Sequence, residues 1–124
     1  MLMLNRFSCF LFVFLWTLSS FPLSASEPAE AFLEALRERR MHDMALDYLD
    51  RAEKNPLVDQ EIRERLDLER GLTLIQGAAY QGDFAIRESM LDDAQTYLDK
   101  FIRTRQGHPK VTSAQSQLAN SYIQ

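Results

Sequence analysis

Apolar residues recur at i, i+3, i+4 and i+7 in five separate stretches of this chain. Nowhere after Ser26 do apolar and polar residues alternate over the length of a strand, and β-branched residues are few. The stretches are Ala29, Phe32, Leu33, Leu36; Met41, Met44, Ala45, Tyr48, Leu49, Ala52; Val58, Ile62, Leu66, Leu68, Leu72, Ile75, Ala79; Met90, Leu91, Ala94, Leu98, Phe101, Ile102; and Val111, Ala114, Leu118, Tyr122. Each wraps one apolar face along a helix, so the chain is constrained to fold by packing helix on helix. The fold class expected is all-α.

Local signals agree with this division. Ser26 is a capping residue with Pro28 in the first turn after it, where a missing N–H costs nothing. Asn55-Pro56 ends the second helix, and Gly82-Asp83 follows the third. The third helix is expected to end near Tyr80 and the fourth to begin near Phe84 or Ile86. Gly107-His108-Pro109 ends the fourth, with Gly107 where a left-handed residue is wanted. Pairs such as Glu61/Arg65 and Arg65/Glu69 read as ordered charges on solvated faces, each contributing a few tenths of a kcal/mol.

The first residues have another character. Met1 to Arg6 carries one positive charge, Phe7 to Leu18 is apolar apart from Ser8 and Thr17, and a turn-prone segment with Ser19, Ser20, Pro22 and Ser24 leads to Ala25. This is the three-part layout of a secretory signal peptide, which places the signal at 1–25 and the protein in the periplasm or outside the cell. The competing reading is a retained anchor over residues 7–23, but Thr17, Ser19 and Ser20 interrupt the run well short of the roughly 20 apolar residues that span a bilayer. Cys9 lies inside the apolar run, not after it, so no lipidation site is formed.

Cutting after Ala25 leaves a 26–124 domain without Cys or Trp, since Cys9 and Trp16 are the only ones. Of 14 Lys and Arg only Arg6 is removed, leaving 13 against 18 Asp and Glu. A disulfide scaffold, a cysteine zinc site and a cysteine nucleophile are thereby excluded from the mature part. An acidic chain with no basic block is also a poor nucleic-acid binder, because phosphate neutralisation drives that binding.

The helices are ordered in a repeating way. Phe32 and Leu33 lie thirteen and twelve residues before Ala45, Leu36 nine before, Leu49 four after and Ala52 seven after. Downstream, Asp92-Asp93-Ala94-Gln95-Thr96-Tyr97-Leu98-Asp99-Lys100-Phe101 echoes Asp43 to Ala52 in register, and Leu118-Ala119-Asn120-Ser121-Tyr122 looks like the start of another unit. This spacing resembles a tetratricopeptide repeat. The resemblance implies antiparallel hairpins stacked as a short right-handed solenoid, with units at about 27–56 and 57–109 and an unpaired helix at 110–124. Departures exist: the two Ala stand 49 residues apart (45 to 94), so the middle unit has a longer first helix or turn, and Arg40 occupies the glycine position of the first turn.

No pattern reads as an enzyme site, a cofactor site or a metal site. His42 and His108 lack partner ligands and read as turn residues. Asp43, Asp47, Asp50, Asp92 and Asp93 fall on wet faces, where paired catalytic carboxylates are not desolvated. No serine is flanked by glycines, and the four glycines are not clustered into a phosphate loop. Met41/Met44 and Tyr48/Tyr97 read as packing positions. The chain is therefore expected to be an exported, non-enzymatic scaffold for an unidentified protein partner, touching a membrane only if the leader stays. The alternative is the N-terminal non-catalytic part of a larger extracytoplasmic or membrane-anchored protein. The resemblance implies binding on the face lined by first helices, with Glu30, Glu34 and Arg37 as contact positions. Because the final helix lacks a partner, a marginally stable or self-associating product, truncated from a longer gene, is expected.

Overall fold

The structure, a computed structural model, describes residues 29–123. The leader read at 1–25 and the cap read at Ser26 lie outside the described residues. Five helices follow in order: α1 (Ala29–Glu38), α2 (His42–Lys54), α3 (Gln60–Ala78), α4 (Phe84–Thr104) and α5 (Val111–Ser121). Among the described residues there is no strand, as the periodicity requires.

Each helix packs on the next, and α1 also meets α3, which meets α5, while α2 and α4 make no backbone approach to one another. The long third helix is thus shared. Its first half closes a cluster of Leu33, Leu36, Ala45, Leu49, Ala52, Ile62 and Leu66 with α1 and α2. Its second half closes a cluster of Leu68, Leu74, Ile75, Ala94, Leu98, Phe101 and Ala114 with α4 and α5. α3 and α4 run close: a Cβ on Gly71 would stand 2.6 Å from Leu98 Cγ and 3.3 Å from the Ala94 carbonyl oxygen. The 49-residue separation of Ala45 and Ala94 is taken up by helix length, since α3 has 19 residues and α4 has 21 against 13 in α2.

The turns show which local signals hold. α3 ends at Ala78 and α4 begins at Phe84, with the Asp83 carboxylate accepting the Ile86 N–H at 3.1 Å as an N-cap. Between α1 and α2 the Met41 N–H donates to the Leu36 carbonyl (2.8 Å) and the Arg40 N–H to the Arg37 carbonyl (2.9 Å). This is the Schellman pattern, which requires a left-handed residue. Arg40 supplies it with φ 58°. Gly107, expected to be left-handed, is not; no described glycine has positive φ. α4 ends instead through the Arg105 N–H donating to the Phe101 carbonyl, and the turn is held by His108, whose Nδ1 accepts the Lys110 N–H at 3.1 Å.

The stripe expected on α3 needs correction. Ala79 is exposed, and the buried residues run around most of the helix, including Arg65, Glu69, Arg70 and Thr73. Arg65 and Glu69, read as a solvated pair, are 2% and 1% exposed. The reason is α1, which lies over that side of α3 and covers it.

Candidate interaction groove

Polar chemistry concentrates in two places, one closed and one open. The closed one lies between α1 and α3. Arg37 Nη1 donates to Glu69 Oε2 at 2.9 Å and to the Thr73 hydroxyl at 3.3 Å, while Arg65 Nη2 donates to Glu69 Oε1 at 3.2 Å. Glu69 is thus held between two arginines, all three buried. At the rim Arg65 Nη1 donates to Glu30 (3.0 Å) and Glu61 (3.2 Å), and Arg37 Nη2 to Glu34 (3.2 Å). Lys110, at the start of α5, also pairs with Glu30. That lysine's hydrogen bond holds the Glu30 carboxyl below its ordinary value, with Arg65 adding to the effect against the opposing effect of burial.

This ladder of alternating charge occupies the surface where contact residues were expected. Arg37 is buried, while Glu30 and Glu34 are both about half exposed and each is paired, Glu30 with Arg65 and Lys110 and Glu34 with Arg37. These groups fix how α1 sits on α3. The chemistry they support is docking within the chain.

The open place lies between α2 and α4. Near the far ends of these helices Arg70 fills the space between them: its Nη2 donates to Asp50 (2.9 Å) and Glu53 (2.8 Å) on α2, and its guanidinium lies 5.5 Å from the Tyr97 ring centroid on α4. Burial alone would lower the Arg70 pKa, but Glu53 and Asp50 outweigh it and raise it. At the near ends the His42 ring and the Met90 side chain lie over Gly77, where a Cβ would stand 3.3 Å from His42 Cγ and 2.7 Å from Met90 Cε. A groove of about 570 Å³ remains, floored by Leu74 and Gly77 of α3 and walled by Met41, Met44, Ile86 and Met90. Met44 is 57% exposed, Tyr80 59% and Ile86 50%. Met41 and Met44 were read as packing positions; here they stand on the wall of an open groove.

One end of the groove is built from rings. Tyr80 stacks on His42 with centroids 5.9 Å apart, and the Arg40 guanidinium lies 4.3 Å from the Tyr80 centroid. His42 is the first residue of α2 and is buried, not the turn residue that was expected. Its Nε2 is buried without a hydrogen-bond partner. Burial lowers its pKa below the ordinary value, with Arg37 and Arg40 pushing the same way and Asp43 opposing them.

Tyr80 escaped the sequence reading because it stands past the end of α3, and Ile86 because it was read only as a possible start of α4. The available signal was register: Ile86 stands four residues before Met90 and eight before Ala94. Among the described residues no three or more His, Cys, Asp or Glu side chains gather as a metal site, and no helix is long and apolar enough to cross a membrane. No protein-family model, curated protein or solved structure matches this chain.

Proposed function

We propose that this chain is an exported, non-enzymatic scaffold of tetratricopeptide-like helical hairpins that binds protein through the groove between α2 and α4. The observation that carries the reading is the groove itself. Exposed Met41, Met44, Tyr80 and Ile86 line it beside the polar Arg40, Asp43 and Gln81, and methionines are the flexible, polarisable residues used for protein contact. Two further features support a repeat architecture. Arg40 takes the left-handed conformation in the turn where the repeat uses glycine. The first helices α1, α3 and α5 touch in series, as a solenoid's inner layer would. Export rests on the leader at 1–25, and the solenoid is right-handed in this reading.

Affinity capture from the exported fraction of the native host tests the groove. Wild type and Asp93→Lys, a change on an exposed α4 position, should recover the same protein, whereas Met44→Glu should recover about tenfold less, as for loss of one anchoring side chain. Identical capture by all three would remove the groove from the function. N-terminal sequencing of the released product tests export: a start at Ser26 or Glu27 is expected, and a retained Met1 in the membrane fraction would make the leader an anchor.

A further inference from the structure

The groove between α2 and α4 gathers the sulfur of the chain. Every methionine after Met3, namely Met41, Met44 and Met90, lines it, and no cysteine follows Cys9. Met41 and Met44 flank His42 at the start of α2, and Met90 reaches in from α4. Gly77 on the floor shows two of these groups converging. A Cβ there would stand 2.7 Å from Met90 Cε and 3.3 Å from His42 Cγ, so thioether and imidazole crowd the same point.

His42 supplies a second, independent observation. It is 8% exposed, and its Nε2 has no hydrogen-bond partner. A buried polar atom left unpaired costs about 1–3 kcal/mol, and native structures seldom keep one without a use for it. With the ring proton on Nδ1, Nε2 carries a free lone pair, the form in which imidazole binds a metal.

We infer that Met41, His42 and Met90 form a site for a soft monovalent metal ion of the Cu(I) class, held by two thioether sulfurs and Nε2, with Met44 at the mouth as a further sulfur. The ligand chemistry selects this ion. Thioethers favour Cu(I), whereas Mg, Ca and Mn ions want carboxylate, carbonyl and water oxygens. Charge selects it too. The Arg37 and Arg40 cations act on His42 from the α1–α2 side, opposed by Asp43, and the Tyr80 ring covers it from the end of α3. A single positive charge meets half the opposition there that a divalent ion would meet. Thioethers carry no proton, and burial already disfavours the protonated imidazole, so near neutrality the ion has no proton to displace. Methionine has three rotatable bonds, which let its sulfur close on an ion without moving a helix. This site goes beyond the protein-binding reading of the groove and does not depend on it.

Titration with Ag(I), a soft monovalent ion that needs no reductant, tests the site on the chain expressed from its full sequence. One equivalent should bind with Kd below about 1 µM. The methyl resonances of Met41 and Met90 and the imidazole resonances of His42 should shift together, while those of His108 stay in place. Met41→Leu and Met90→Leu conserve volume and remove the sulfur. Each should weaken binding about tenfold or more with unchanged helical circular dichroism. Cu(I), supplied under reductant against a competing chelator, should follow the same order of variants, and Zn(II) should bind far more weakly than either. Absence of Ag(I) binding in this range would overturn the site, as would shifts confined to other residues. So would equal affinity in both leucine variants, or Zn(II) binding as tight as Ag(I). The resonance shifts are read on wild type, so a variant that unfolds does not spare the proposal. Protein capture enters none of these measurements, and the two readings of the groove stand or fall separately.

Discussion

α3 docks a helix on each side of its length, and it does so by opposite means. Toward α1 it presents Arg65, Glu69 and Thr73, and the interface is organised by an arginine–glutamate–arginine triad. Toward α4 it presents Leu68, Gly71, Leu74 and Ile75, and the interface is organised by close approach onto Ala94 and Leu98. The difference follows from what the partners offer. The three buried residues of α1 are Leu33, Leu36 and the charged Arg37, whereas the three of α4 are the apolar Ala94, Leu98 and Phe101. Buried ion pairs specify position more than they add net stability, since desolvation offsets most of the Coulomb gain. Apolar packing supplies the larger share of the free energy. The α1 side is therefore positioned by charge, and the α4 side is stabilised by shape.

The largest expected effect comes from opening the triad. Glu69→Ala removes the only buried carboxylate between Arg37 and Arg65, leaving them the exposed rim partners Glu34, Glu30 and Glu61, and should cost about 3 kcal/mol, read by denaturant unfolding. Replacing all three groups, as Arg37→Met, Arg65→Met and Glu69→Leu together, should return stability close to wild type. A loss below about 1 kcal/mol for Glu69→Ala, the range of exposed pairs, would mean that α1 does not cover these groups in solution.

On the other side, Gly71→Ala should destabilise by about 1–2 kcal/mol: the clash with Leu98 exceeds the helix-propensity gain of about 1 kcal/mol. Thermal unfolding of this variant compared with Gly82→Ala, a position in the α3–α4 loop where a Cβ meets nothing within 4 Å, separates the clash from the general backbone effect of replacing a glycine. If both behave alike, the close approach of α3 and α4 is not what holds this half.

Arg40→Gly should stabilise the α1 side by about 1 kcal/mol, because glycine adopts the left-handed turn without steric cost. The expected rise in melting temperature turns into a fall if the Arg40–Tyr80 stacking outweighs the backbone relief.

The smallest effect is with pH. Burial keeps the folded pKa of His42 below its ordinary 6.5. The unfolded chain therefore binds this proton more readily, so stability is complete above about pH 6.5 and declines as pH falls toward the folded pKa. Glu30 acts in the same sense at lower pH: its contribution is present above 4.5 and is lost as pH drops through the lowered folded value. Denaturation midpoints at about pH 7 and 5.5 should differ for wild type and not for His42→Leu, whose side chain has no proton to bind.

How far the sequence reaches can be judged from particular residues. Leu33, Leu36, Ala45, Leu49, Ala94, Leu98 and Ala114 sit in the core as their spacing required, because a helix turns its apolar side inward whatever its neighbours are. Arg65 and Glu69 were misread because an i, i+4 charge pair looks the same in sequence whether water or another helix covers it. Only the arrival of Arg37, 32 residues earlier in the chain than Glu69, decides which. Met41 and Met44 failed in the other direction: they continue the stripe of Ala45 and Leu49, yet they stand on the open side of a groove between α2 and α4. The site was hidden for the same reason. It depends on how far apart two non-adjacent helices stand, and no local pattern encodes that distance.

The arrangement in which each helix meets its neighbour, and α3 also meets α1 and α5, determines the order in which the fold can be made. Short sequence separations favour rapid folding, and a chain emerging from its N-terminal end can begin before it is complete. α1 and α2 pair early through Leu33, Leu36, Ala45 and Leu49. Yet Arg37 has no acceptor on a second helix until Glu69 and Thr73 have been synthesised, and Glu30 meets Lys110 only when the chain has grown 80 residues further. α1, the first of the described helices, thus completes its set of partners only when the chain has reached the start of α5.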